Sequence, residues 1–348
     1  MKPCIGTHVG ARKCRWNASH RTPPVLVLLF VFILSFFPST LAWSNGGGPS
    51  DDPAHPSYGT HDWIAEHALD FLPEKEKQWL LDYKADYLYG TELPDFQKST
   101  TYPDGVGDQM KHHVYFNADG SVMDDSSAKR AQEEYDTTVE LLKEGNMEEA
   151  AKHAGMMTHY MADVAVFGHV MGYYTSWMNT RASDHGSEGY WNHYTYEKYV
   201  DNTTRSYNST EWNRYLKFDG KLSNETAYQL TIKIAYNTTF NPGSYKTCVW
   251  IDNYLYDHQN ETERWSNKTF HDRTGELLNL AVNAIADTLH KLYSDACMHI
   301  EKADAGPPTT SNQNPYLLGI IPSGIAVASI FYVWFRYVFP VNKNRHQR

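Results

Sequence analysis

Apolar residues recur at helical spacing through most of the middle of the chain. Ile64, Ala65, Ala68 and Leu69 share one face and predict a helix over 61–71, with Thr60 as its N-cap. Pro73 opens the next helix, which runs through Trp79 and Leu80. Ala131, Tyr135, Val139 and Leu142 predict a helix over 126–144, and Gly145-Asn146 breaks it. Another helix follows from Met147 to Asp163, and residues 190–199 are helical in pattern. Leu277, Leu280, Ala281, Ala284, Leu292 and Met298 predict a long amphipathic helix over 274–302. Tyr87–Phe96 reads as a loop. Residues 202–270 are ambiguous, and Leu230–Tyr236 suits helix or strand. There is no repeat and no regular strand alternation. The pattern predicts an all-α, multi-helix domain.

Two longer apolar runs lie outside this domain. Val25–Phe37 follows Lys2, Arg12, Lys13, Arg15 and Arg21, and precedes Pro38-Ser-Thr-Leu-Ala42. A basic region, an apolar core and a small residue at the cut site predict a signal peptide over 1–42. The alternative is an uncleaved anchor. Tyr316–Phe335 is 20 residues long, enough to cross a bilayer once, and Arg336, Lys343, Arg345 and Arg348 follow it. The expected order is a signal peptide (1–42), a domain (43–304), a Pro/Thr/Asn-rich linker (305–315), a transmembrane helix (316–336) and a cytoplasmic tail (337–348). This describes a single-pass protein of the cell membrane with its domain outside. The other reading of 316–335 is a buried core helix.

The length of 348 residues admits one large domain or two. Residues 1–42 and 316–348 hold nine Lys/Arg and no Asp/Glu, leaving 22 basic against 41 acidic residues in 43–315. That excess repels polyanions at long range and disfavours nucleic acid as a partner, although bound cations offset it locally. Six Asn-x-Ser/Thr sequons, at Asn202, Asn208, Asn224, Asn237, Asn260 and Asn267, agree with export. Past the signal only Cys248 and Cys297 remain, either paired in an oxidising compartment or left as two free thiols.

The chemistry concentrates in one stretch. His159 and Asp163 form an i, i+4 pair, His193 and Glu197 form another, and His169 lies between them. On a helix such pairs share a face, so each can grip one cation from one side. One His-x3-Asp pair alone is most often a surface or capping pair; two pairs bridged by a further His in aromatic sequence point to metal. Imidazole with carboxylate suits zinc better than calcium or magnesium, and no Cys nearby suggests a structural thiolate site. Three more candidates lie upstream: His61 in Gly59-Thr-His-Asp-Trp-Ile64, Asp95 in Gly90-Thr-Glu-Leu-Pro-Asp-Phe96, and His113 in Lys111-His-His-Val-Tyr115. His112 is the adjacent rival to His113. His55, His67, His153 and His185 suit supporting or surface roles better.

In this order the residues resemble the zinc-dependent phospholipase C family, whose structural cousins are the S1/P1-type nucleases. The resemblance spans about Trp43 to Lys302. It implies that Trp43, exposed as the mature N-terminus, binds zinc through its α-amino and carbonyl groups, and that the predicted cut after Ala42 creates it. It implies further that His61 shares that zinc and that Asp163 bridges it to a second, held by Asp95, His113 and His159. His169, His193 and Glu197 would hold a third. Glu197 as last ligand favours phospholipase over nuclease, whereas the gap of 24 residues between His169 and His193 is nearer the nuclease spacing. The Gly-Thr-His and Pro-Asp contexts also look like the catalytic domain of glycosylphosphatidylinositol-specific phospholipase D. Phe96 matches an aromatic of the family's headgroup pocket. Met110 and Gly46 stand where an aromatic and an acidic residue are expected, so choline preference does not follow.

About three zinc ions suit phosphodiester hydrolysis, because they neutralise phosphoryl oxygens, acidify a bound water and stabilise the leaving oxygen. Asp95 is the expected carboxylate that orients or deprotonates that water. A membrane-tethered phospholipase with C-type cleavage is the expected function, its partner being the phospholipid membrane. The alternatives are a zinc nuclease, phospholipase D-type cleavage, and a metal-stabilised surface binding domain without turnover.

Overall fold

A computed structural model describes residues 43, 54–100, 102–172, 177–178 and 187–304. The chain divides into two units, Met1–Glu301 and Lys302–Arg348. The expected signal peptide, linker, transmembrane helix and tail lie outside the described residues. Among the described residues no helix is long and apolar enough to cross a membrane.

The first unit is mostly helical. The helices are α1 (Thr60–Asp70), α2 (Glu74–Asp82), α3 (Lys84–Glu92), α4 (Ser126–Glu144), α5 (Met147–Asp163), α6 (Ser187–Thr204), α7 (Ala227–Phe240), α8 (Cys248–Asp257), α9 (Glu261–Ser266) and α10 (Lys268–Asp304). Short 3-10 turns at Leu93–Asp95, Gln109–Lys111 and Phe167–Val170 carry the chain between them. One two-stranded antiparallel hairpin, β1 (Tyr115–Phe116) and β2 (Val122–Asp124), qualifies the all-α expectation.

Local chemistry sets most of the boundaries. α1 is capped by Gly59 rather than the expected Thr60. The Asp62 carboxylate accepts from the Gly59 amide (2.9 Å), while the Thr60 hydroxyl pairs with that of Thr204 (2.9 Å). α4 ends where Gly145 takes a left-handed conformation (φ 77°), as the Gly-Asn breaker predicts. The ambiguous segment around Leu230 is helix α7. Thr226 caps it, accepting from the Gln229 amide while Gln229 accepts from the Thr226 amide.

Tyr87–Phe96, expected as a loop, is the second half of α3 followed by a 3-10 turn. Every residue from Tyr87 to Asp95 is buried, so no polar face marks the helix. α3 crosses α5 at Gly90 and Gly155. A Cβ on Gly155 would fall 2.1 Å from the Tyr87 carbonyl oxygen, and one on Gly90 would fall 2.1 Å from that of Lys152. The two backbones therefore touch, and α5 is buried from Ala150 to Asp163 except at His153. This central helix positions the site.

Cys248 and Cys297 are both free. Cys248 is buried with its sulfur 3.8 Å from that of Met178. Five of the sequon asparagines are exposed; Asn237 is half-buried and bonded to Arg273 through both its carbonyls.

Candidate metal centre

Asp163, at the C-terminal end of α5, lies at the middle of the site. Its side chain is fully buried, one turn beyond His159 on the same helix. His159 Nδ1 faces the Thr91 carbonyl oxygen at 2.7 Å, a bond the α3–α5 crossing delivers. With Nδ1 donating there, Nε2 presents its lone pair 3.2 Å from Asp163 Oδ2 and 3.8 Å from Asp95 Oδ1. The fully buried His61 of α1 stacks on His159, with ring centroids 4.0 Å apart, and places Nε2 3.3 Å from Asp163 Oδ1. His112 adds Nδ1 at 2.9 Å from Asp163 Oδ2 and 3.5 Å from Asp95 Oδ1.

A third cluster forms beside the hairpin. His193 and Glu197 share a face of α6, with Nε2 2.8 Å from Oε1, and His169 Nε2 lies 3.6 Å from the same oxygen. Gly168 leaves the space for the His193 ring, since a Cβ there would fall 2.5 Å from it. The Val114 amide donates to the His169 carbonyl oxygen (3.2 Å), tying this cluster to the His112 segment. Three groups thus stand close enough to hold a cation: His61, Asp95 and His159; His112, His159 and Asp163; and His169, His193 and Glu197.

Within the first two groups His159 Nε2 and His112 Nδ1 share a hydrogen bond (3.3 Å), whereas the imidazole–carboxylate contacts are ion-pair distances. His61 Nδ1 and Nε2, Asp95 Oδ1, both Asp163 oxygens and His169 Nε2 are buried and have no hydrogen-bond partner. An unsatisfied buried polar atom costs about 1–3 kcal/mol, more when charged. Several such atoms at one place are what a set of metal donors presents, so the residues fit zinc.

The electrostatics reflect the same crowding. Burial pushes the Asp95 carboxyl up to about 6, against the pull of His159 and His112, and Asp163 adds to the rise. Burial, helped by the neighbouring His159, lowers His61 to about 4. At His112 burial opposes the proton, but the facing carboxylates of Asp108 and Asp163 win and push it up to about 10.

Of the expected ligands, the structure brings together His61, Asp95, His159, Asp163, His169, His193 and Glu197. His113 is a correction: it turns outward and pairs with Asp124 of β2 (3.2 Å), stacked on Tyr115, and His112 takes the inner place. The 3-10 turn at Gln109–Lys111 sets which of the two adjacent rings faces inward. Trp43 is buried; its indole donates to the carbonyl oxygen of Ala162 (3.0 Å), one residue before Asp163, and its ring packs 5.6 Å from Tyr196. Phe96, next to Asp95, is half-buried against Tyr102, and Met110 is exposed.

Buried imidazoles and carboxylates gathered at the ends of packed helices form the donor set of a metal centre carried on a helical scaffold. The family model described as zinc dependent phospholipase C matches residues 60–245, a stretch that contains all three groups of candidate donors. The chain belongs to the zinc-dependent phospholipase C family. Two solved structures are similar: an alpha toxin from Clostridium absonum (17% identity, TM-score 0.40, covering 72% of this chain and 65% of that one) and the Clostridium perfringens alpha-toxin from avian strain SWCP (15% identity, TM-score 0.37, covering 76% and 68%). The chain thus spans just under two thirds of the length of the first toxin. No curated protein sequence matches the chain.

Proposed function

We propose that this protein is a zinc-dependent phosphodiester hydrolase that cleaves phospholipids, with C-type cleavage. The observation that carries the reading is the set of buried, unpartnered donor atoms around Asp163, in a chain of this family. His61, Asp95, His112, His159 and Asp163 would hold zinc in one cluster, and His169, His193 and Glu197 would hold it in another. Zinc bound there supplies positive charge for the phosphoryl oxygens and makes water a stronger acid. Besides serving as a donor to zinc, Asp95 is the carboxylate that orients or deprotonates the attacking water. The Thr91 carbonyl keeps His159 in the tautomer that leaves Nε2 free.

Cleavage of the signal after Ala42 would free the α-amino group of Trp43, and the indole bond to Ala162 would hold it beside the centre. The span 316–336 would tether the domain outside the cell, within reach of lipid headgroups, which raises effective substrate concentration without added affinity. Phe96 is the proposed aromatic wall of the headgroup pocket.

The test is hydrolysis of mixed phospholipid vesicles by the zinc-loaded, processed chain that begins at Trp43, beside single-stranded DNA. Release of phosphorylated headgroup together with diacylglycerol supports the proposal. Phosphatidic acid as product would select D-type cleavage, and turnover of DNA alone would select a nuclease. Inertness on both would leave a binding domain.

A further inference from the structure

We propose that Asp108 is a positioning residue for His112, fixing the ring so that Nδ1 is the nitrogen presented to the metal centre. The proposal rests on the metal reading above. His112 points its two nitrogens at different carboxylates: Nδ1 at Asp163 Oδ2 (2.9 Å), and Nε2 at Asp108 Oδ1 (3.5 Å). Nε2 is buried and makes no aligned hydrogen bond, and the Asp108 carboxylate faces it at ion-pair distance. Asp108 therefore lies behind the ring, outside the three groups of donors.

The Asp108 carboxylate is held from two sides. Oδ1 accepts from the Tyr160 hydroxyl (2.6 Å), and Oδ2 accepts from Arg130 Nε (2.8 Å). Tyr160 follows His159 on α5, and its ring meets His112 edge-on at 5.2 Å. The Arg130 guanidinium, on α4, lies 5.0 Å from the centre of the Tyr160 ring and also pairs with Glu133 and Glu134. The carboxylate thus cannot swing away without breaking two charge-assisted or short bonds.

An imidazole that donates one N–H to a carboxylate offers a lone pair at the other nitrogen. His159 follows the same logic, with the Thr91 carbonyl as acceptor. His159 and His112 are therefore aimed alike, one by backbone and one by side chain. Only the second can be removed by substitution.

Asp108→Asn keeps the shape and an acceptor oxygen but loses the charge that faces Nε2. Zinc affinity is read by competition with a chelator on the full chain, with the thermal midpoint of the zinc-free protein measured alongside. The expected result is a loss of about 10–100-fold in affinity for at least one ion, with the zinc-free midpoint unmoved and kcat reduced more than KM changes. Tyr160→Phe, which removes a single hydroxyl, moves zinc affinity the same way and less, and keeps the test valid should Asp108→Asn not fold. Zinc affinity equal to wild type in a folded Asp108→Asn chain overturns the proposal alone. A wild-type chain that binds no zinc overturns the metal reading and this proposal together.

Discussion

His112 and His113 differ by one place in the chain and by everything in environment. One faces Asp163 from a buried position, and the other pairs with Asp124 on the hairpin. His112→Ala should therefore lose bound zinc and most turnover, while His113→Ala keeps both; metal content of the two purified variants decides it. Asp95→Asn should lower turnover by about 10²–10⁴-fold, the usual share of a general base, and leave the helices intact by circular dichroism. Near-normal hydrolysis in that variant would remove Asp95 from the chemistry. Seven of the expected donors lie together in the structure, and i, i+4 spacing and the family order are what made them legible in the sequence. The choice between adjacent histidines was not, because it turns on a 3-10 turn of three residues with no periodic signature. A usable signal was present: Asp108 stands four residues before His112, the same spacing as His159 to Asp163.

At the scale of elements, the α3–α5 crossing determines where His159 sits. Replacing a helical glycine by alanine ordinarily stabilises, through the unfolded chain. At Gly155 the clash with backbone wins, because the Tyr87 carbonyl at 2.1 Å from the new Cβ cannot rotate away. Gly155→Ala should destabilise the zinc-free protein by about 1–3 kcal/mol, read from its denaturant midpoint. A gain in stability would mean that the helices do not touch there. The long amphipathic helices α4 and α10 were legible because each keeps a polar face. α3 was not, since it is buried all round from Tyr87 and carries Gly90, a poor helix former. α7 hid behind β-branched residues such as Ile232 and Ile234, although Thr226 and Gln229 already spelled a capping box. The hairpin strands, two and three residues long, are too short for any alternation to register.

At the scale of the whole molecule, the proposed cleavage after Ala42 would join processing to catalysis at Trp43. Its indole is fixed beside α5 by the bond to Ala162. If the freed α-amino group is a ligand, a chain with one extra residue before Trp43 should fold normally and be inactive, because an amide nitrogen is too weakly basic to bind zinc well. N-terminal sequencing of the exported protein should begin Trp-Ser-Asn-Gly, and full activity with a longer N-terminus would refute the assignment. The count of bound zinc ions is the most direct test. Elemental analysis of the processed chain that begins at Trp43, loaded with excess zinc and then dialysed, should find about three zinc ions per molecule, falling toward two or fewer in Asp163→Asn. One zinc or fewer in the wild-type chain would contradict the account.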